Sequence, residues 1–240
     1  MIRWFVSLIF MIHIYFMMVV IGLLWGPYAL LSPEGARAGA KAYSRYVFWL
    51  SRWMLGLRVE VRGPIPSGEV IIAAKHQSFL DILMIFTALP AAKFIMKREI
   101  LWTPVIGLYA RRLGCVPVAR GKRGAAITKM VKDVEAGHAL PGQLIIYSQG
   151  TRLAPGVKAP YKVGTAVLYN QLKQECVPVA TNAGVFWPRT GVLRKPGLAV
   201  VEFLPTIPVG LNRDAFMSVL EEVVETKSNE LMVEGGFDPS

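Results

Sequence analysis

V-I-I-A-A-K-H-Q-S-F-L-D, residues Val70–Asp81, is the stretch on which the reading of the chain turns. Val70–Ala74 is a short apolar run with β-branched residues, of the length a buried strand uses. Ser78-Phe79-Leu80-Asp81 has the S-x-x-D form of a helix start, with Ser78 as the N-cap, ahead of the apolar run Ile82–Phe86. His76 falls in the turn between them. On one continuous helix, five residues rotate a side chain by roughly 140°, so His76 and Asp81 would point apart. A strand-to-helix turn instead lets the Asp81 carboxylate reach one ring nitrogen of His76 and leaves the other free. A carboxylate that holds an imidazole in one tautomer makes a general base at neutral pH. A turn histidine beside a capping aspartate would show the same spacing without any chemistry.

Outward from this unit, strand-like and helix-like pieces alternate. Strands are predicted at Val70–Ala74, Lys93–Lys97, Cys115–Ala119, Leu144–Tyr147, Cys176–Ala180 and Leu198–Phe203. Helices are predicted at Phe79–Ala88, Trp102–Leu113, Gly124–Glu135, Gly164–Leu172 and Arg213–Met232, the last with a solvated acidic face. Such alternation predicts an α/β fold, a largely parallel sheet flanked by helices. Gly63–Gly68 is turn-rich and marks the expected boundary between N-terminal membrane-associated helices, 1–62, and an α/β domain, 63–240, although Arg58–Val61 alternates like a first strand.

Trp4–Pro33 contains no Lys, Arg, Asp or Glu and exceeds the ~20 residues that cross a hydrocarbon core. It is read as an apolar helical membrane anchor. A cleaved signal peptide is the rival, but its apolar core runs only ~7–15 residues. Arg37, Lys41, Arg45 and Arg52 follow, which places the bulk of the chain on the cytoplasmic side of the membrane. At helical spacing these four share a stripe roughly 80° wide. With Trp49 and Trp53 beside it, Lys41–Leu57 reads as a helix at headgroup level, or as an amphipathic helix on the core.

Hydrophobic residues make up 53% of the 240, charged residues 18%, and the net charge is +11. A basic, apolar chain suits an anionic membrane surface, and no nucleic-acid motif is visible. Between Lys93 and Lys132 there are ten basic residues and one acid, Glu99, a surface for an anionic headgroup or phosphate. The two cysteines, Cys115 and Cys176, each open a C-V-P-V-A pentapeptide, read as two similar buried strands. They signal neither a disulfide framework nor a metal site.

Tyr147-Ser148-Gln149-Gly150-Thr151-Arg152 follows a predicted strand, so its backbone N–H groups and guanidinium can face an oxyanion. Ser148 is not in a G-x-S-x-G elbow, and no Walker motif occurs. Four blocks in order now resemble the glycerolipid acyltransferases typified by 1-acyl-sn-glycerol-3-phosphate acyltransferase. They are His76 with Asp81, Gly114–Arg120, Gly150-Thr151-Arg152 and Val177-Pro178-Val179. Gln149 stands where that family usually has glutamate, Ser148 where proline is common, and Lys75 for a frequent asparagine.

The resemblance implies acyl transfer from a thioester, on coenzyme A or acyl carrier protein, to the hydroxyl of 1-acylglycerol-3-phosphate in phospholipid biosynthesis. His76 and Asp81 become the expected catalytic pair. Arg120, Gln149, Gly150, Thr151, Arg152 and Lys97 become expected substrate-binding residues, with Lys93 a weaker candidate. No cofactor or metal is expected, and the partners are lipid substrates and membrane lipids. The lost charge at Gln149 keeps another lysolipid, such as a lyso-ornithine lipid, open as acceptor. A hydrolase or transacylase using the same pair, and a non-catalytic lipid-binding module, are the alternatives.

Overall fold

A computed structural model describes residues 1–118, 128, 131–132 and 140–238. Its elements are α1 (Ile2–Leu24), α2 (Gly26–Leu31), α3 (Pro33–Leu55), β1 (Leu57–Arg62), β2 (Ile71–Ala74), α4 (Phe79–Ala88) and β3 (Lys93–Lys97). A 3-10 turn at Arg98–Trp102 leads into α5 (Pro104–Arg112) and β4 (Val116–Val118). Then come β5 (Leu144–Tyr147), α6 (Gly164–Leu172), β6 (Cys176–Thr181), α7 (Ala183–Phe186), β7 (Gly197–Phe203) and α8 (Arg213–Glu234). Of the helix expected over Gly124–Glu135, only Thr128, Val131 and Lys132 are described, and they are helical. Arg120 lies outside the described residues.

Among the described residues, seven strands form one sheet in the order β1-β7-β6-β2-β5-β3-β4. Every neighbouring pair is parallel except β6 with β7. β2 therefore sits centrally, with β5 on one side and β6 on the other, and all three end at the same edge. In open parallel sheets, ligands bind beyond that carboxyl edge.

The period-2 alternation of β2 divides the core. Ile72 and Ala74 join one cluster with α3, α4 and α5, whereas Ile71 and Ala73 join another with α6 and α8. β2 is buried at all four residues, as a strand covered on both faces must be.

α3 begins at Pro33, well before the expected Lys41. Ser32 caps it by accepting from Gly35 N, and Glu34 lies in its first turn. Its Tyr43, Val47, Leu50 and Leu55 are buried in the core, while Trp49, Trp53, Arg45 and Arg52 are exposed. The basic stripe thus divides: Lys41 turns inward and donates from Nζ to Leu89 O at the end of α4. The strand β1 pairs with β7 in the sheet, so a boundary at 62/63 cuts the sheet rather than a linker. The two C-V-P-V-A segments also differ. β6 is buried throughout, whereas β4 is a half-exposed edge.

α1 is the one helix among the described residues long and apolar enough to cross a membrane. Phe5, Ile9, Ile12 and Phe16 are exposed on it. Its inner face is docked: Phe10 packs edge-on against Trp187, and Ser7 Oγ accepts from Arg194 N.

Candidate active site

The alternation that divides the core continues past the end of β2. It sends Lys75 toward the α8 face and His76 toward the α4 face. There His76 Nδ1 lies 2.9 Å from Asp81 Oδ1. Asp81 is fully buried, yet every approach to it is a donor. Oδ2 accepts from the N–H groups of Gln77 (2.8 Å) and Ser78 (2.7 Å). Ser78 Oγ accepts in turn from Leu80 N, which starts α4 as the S-x-x-D pattern predicts. With Oδ2 taken by two amides, Oδ1 is an acceptor for His76 Nδ1–H. This selects the tautomer with a lone pair on Nε2, which has no hydrogen-bond partner among the described residues.

Tyr147, at the end of β5, completes this arrangement. Its ring stacks on His76, and its hydroxyl donates to Asp81 Oδ1 at 3.2 Å. Burial, and then the Asp81 carboxylate, push its phenol well above the ordinary tyrosine range, so it stays a neutral donor. The β5 strand was legible in the sequence, but this role was not, because the partners are 66 residues apart.

The Gly150 loop folds back on the same turn. Gly150 has a φ of 72°, a left-handed conformation that favours glycine. Its N–H returns to Tyr147 O, and Leu153 N donates to His76 O at 2.9 Å. The N–H groups of Gln77, Ser78 and Gly150 are therefore already used, which narrows the amides of the Tyr147–Arg152 loop that can face an oxyanion. Thr151 and Arg152 keep backbone N–H groups without partners among the described residues. The Arg152 guanidinium is close enough for its charge to act on the Tyr147 hydroxyl. Arg189, not singled out from sequence, donates to Arg152 O.

The three other expected residues divide. Gln149 is buried, and its Nε2 reaches Ala159 O and Glu225 Oε1, so its amide is engaged inside the protein rather than offered to a lipid. Lys97 is exposed at the carboxyl end of β3, on the edge where His76 lies. Lys93 is at the opposite end, bonded to Leu140 O, and burial lowers its pKa.

Beside the site is an apolar cavity of about 170 Å³, between α1, α3, α4, α5 and the sheet. Phe79, Ile82, Leu83 and Phe86 of α4 line one wall, with Phe94 and Tyr109 opposite. α4 thus carries Asp81 in its first turn and the cavity along its length.

A family model described as Acyltransferase matches residues 57–182, more than half of the chain. The chain belongs to the acyltransferase family. Within it, 1-acyl-sn-glycerol-3-phosphate acyltransferase of Pseudomonas aeruginosa is 26% identical over 194 residues, 80% of this chain and 76% of that protein. The human 1-acyl-sn-glycerol-3-phosphate acyltransferase alpha is 29% identical over 178 residues; these are 72% of this chain but only 63% of the human one. The crystal structure of the 1-acyl-sn-glycerophosphate acyltransferase PlsC from Thermotoga maritima shares the fold, with a TM-score of 0.77 over 95% of this chain and 97% of that one at 22% identity. The acyltransferase match holds His76, Asp81, Tyr147 and Arg152 but ends before β7 and α8.

Proposed function

We propose that this acyltransferase moves a fatty acyl group from an acyl thioester to the free hydroxyl of 1-acyl-sn-glycerol-3-phosphate at a membrane surface, giving phosphatidic acid. The observation that carries the reading is the imidazole of His76, oriented through Nδ1 by Asp81 with Nε2 open. Nε2 takes the hydroxyl proton as the lipid oxygen bonds to the thioester carbonyl carbon. Asp81 offsets the charge the ring gains. The tetrahedral intermediate collapses, the carbon–sulfur bond breaks, and His76 returns the proton to the departing thiolate. General base catalysis of this kind is worth roughly 10²–10⁴-fold.

The names of the relatives from Pseudomonas aeruginosa and human support the choice of acceptor. On this reading the Arg152 guanidinium, whose charge acts on the Tyr147 hydroxyl, takes the acceptor phosphate, with the Thr151 and Arg152 amides beside it. The apolar cavity suits an acyl chain, and the exposed apolar face of α1 suits a bilayer that holds both lipids. The acyl carrier is coenzyme A or acyl carrier protein, and the reaction, which runs downhill from thioester to ester, needs no metal or cofactor. The main domain faces the cytoplasm on this reading.

The experiment is His76→Ala assayed with a labelled acyl thioester and 1-acyl-sn-glycerol-3-phosphate. Loss of labelled diacyl product, with membrane association kept, is the expected result. Unchanged turnover would remove His76 from the chemistry. Labelled free fatty acid from the wild type would make the enzyme a hydrolase, and product from another lysolipid alone would change the acceptor.

A further inference from the structure

Beneath the two turns that build the site, on the opposite face of the sheet, three side chains meet at one carboxylate. Lys75, the residue before His76, is 2% exposed, and its Nζ lies 2.6 Å from both oxygens of Glu225 on α8. The hydroxyl of Tyr161 donates to Glu225 Oε1 at 3.0 Å, and Gln149 Nε2 donates to the same oxygen at 3.3 Å. Burial and this carboxylate together push the Tyr161 phenol far above its ordinary range, so it too remains a donor.

Lys75 belongs to the His76 turn, Gln149 to the Gly150 loop, and Tyr161 to the chain that leads into α6. Glu225 joins all three. A nearly fully buried ammonium needs a carboxylate, because an unpaired charge is costly to take out of water. Lys75 and Gln149 lie within the matched family region, whereas the carboxylate they share, Glu225, lies outside it. Because Gln149 reaches the Glu225 carboxylate, a carboxylate placed at 149 would stand at nearly the same spot.

We infer that Glu225 is a positioning residue that locks the His76 turn and the Gly150 loop in register from behind the sheet. It acts through Lys75 and Gln149 and touches no substrate. The hydrogen bond from Leu153 N to His76 O is the front-side consequence of that register. The inference rests on the acyl-transfer reading for its kinetic consequence alone.

The test compares wild type, Glu225→Gln, the pair Lys75→Met/Glu225→Gln, and the relocated carboxylate Gln149→Glu/Glu225→Gln. Kinetics are measured with an acyl thioester and 1-acyl-sn-glycerol-3-phosphate, and hydrogen exchange is followed at the Leu153 amide. Glu225→Gln should lower kcat about tenfold, leave both KM values within about twofold, and speed Leu153 exchange. Lys75→Met/Glu225→Gln leaves no buried charge unpaired, so it keeps the fold and should show the same loss. Returning a carboxylate at Gln149 should recover most of kcat. If Glu225→Gln and the Lys75→Met pair lower only the melting temperature, with kcat and Leu153 exchange unchanged, the inference is overturned. If the wild type transfers no acyl group, the acyl-transfer reading fails, and Leu153 exchange alone decides the role of Glu225.

Discussion

The ring of Tyr147 lies over the imidazole of His76, centroids 3.8 Å apart and planes 17° from parallel. The two side chains also share one acceptor, Asp81 Oδ1. Stacking fixes the tilt of the imidazole, and the shared oxygen fixes its rotation. Tyr147→Phe keeps the stack and loses the hydroxyl, so steady-state kinetics should show a fall in kcat of no more than about tenfold. A hydrogen bond to a charged group is worth about 1.5–3 kcal/mol, and only part of that acts on the transition state. Tyr147→Leu, which removes both contacts, should cost more; equal losses would leave the stack without a role.

Asp81 does two separable things. It orients His76 and it closes the turn by accepting from Gln77 N and Ser78 N. Asp81→Asn should therefore reduce both turnover, by about 10²-fold or more, and stability, by about 2–3 kcal/mol. His76→Ala should reduce turnover alike with little change in melting temperature. Denaturation curves beside kinetics separate the two effects.

Ser78→Ala removes the oxygen that accepts from Leu80 N. Loss of such a cap costs about 1 kcal/mol. Because the same turn carries His76, urea midpoint and kcat should fall together. A fallen midpoint with an intact kcat would mean that the turn survives without its cap.

Arg152→Ala should raise KM for the phosphate-bearing acceptor about tenfold with a small change in kcat, and Arg152→Lys should recover part of it. A fall in kcat alone would take Arg152 off the phosphate and place it nearer the reacting carbonyl.

Stability should decline in alkali for a stated reason. Burial raises the thiol of Cys115 from 9.0 to about 11 and that of Cys176 from 9.0 to about 12. Above pH 9 the unfolded chain releases these protons while the folded chain retains them, so the slope of stability against pH is negative. The contribution is whole below pH 9 and is lost as pH rises through 11 and 12. Cys176→Ala should flatten this decline in melting experiments at successive pH values.

What was legible in the sequence was local. Phe79–Ala88, Lys93–Lys97, Leu144–Tyr147 and Gly164–Leu172 carry their own start and stop signals, and the structure keeps those bounds. The His76–Asp81 contact was legible because both ends lie within one turn. The S-P-E signal at Ser32 was equally local, but the long apolar run around it hid the start of α3. Other features depended on contacts distant in sequence. No spacing reveals that Tyr147 reaches Asp81, that Glu225 leaves the solvated face of α8 for Lys75, or that β1 pairs with β7.

The place of β1 bears on how this protein can be handled. An expression product trimmed to begin after Arg62 would strip β7 of one of its two neighbours and bare a row of amides and carbonyls, an invitation to clumping. It would also uncover the core that Val47, Leu50 and Leu55 now seal. Greater solubility is better sought by recolouring the greasy outward positions Ile9, Ile12 and Phe16 with polar side chains than by the scissors.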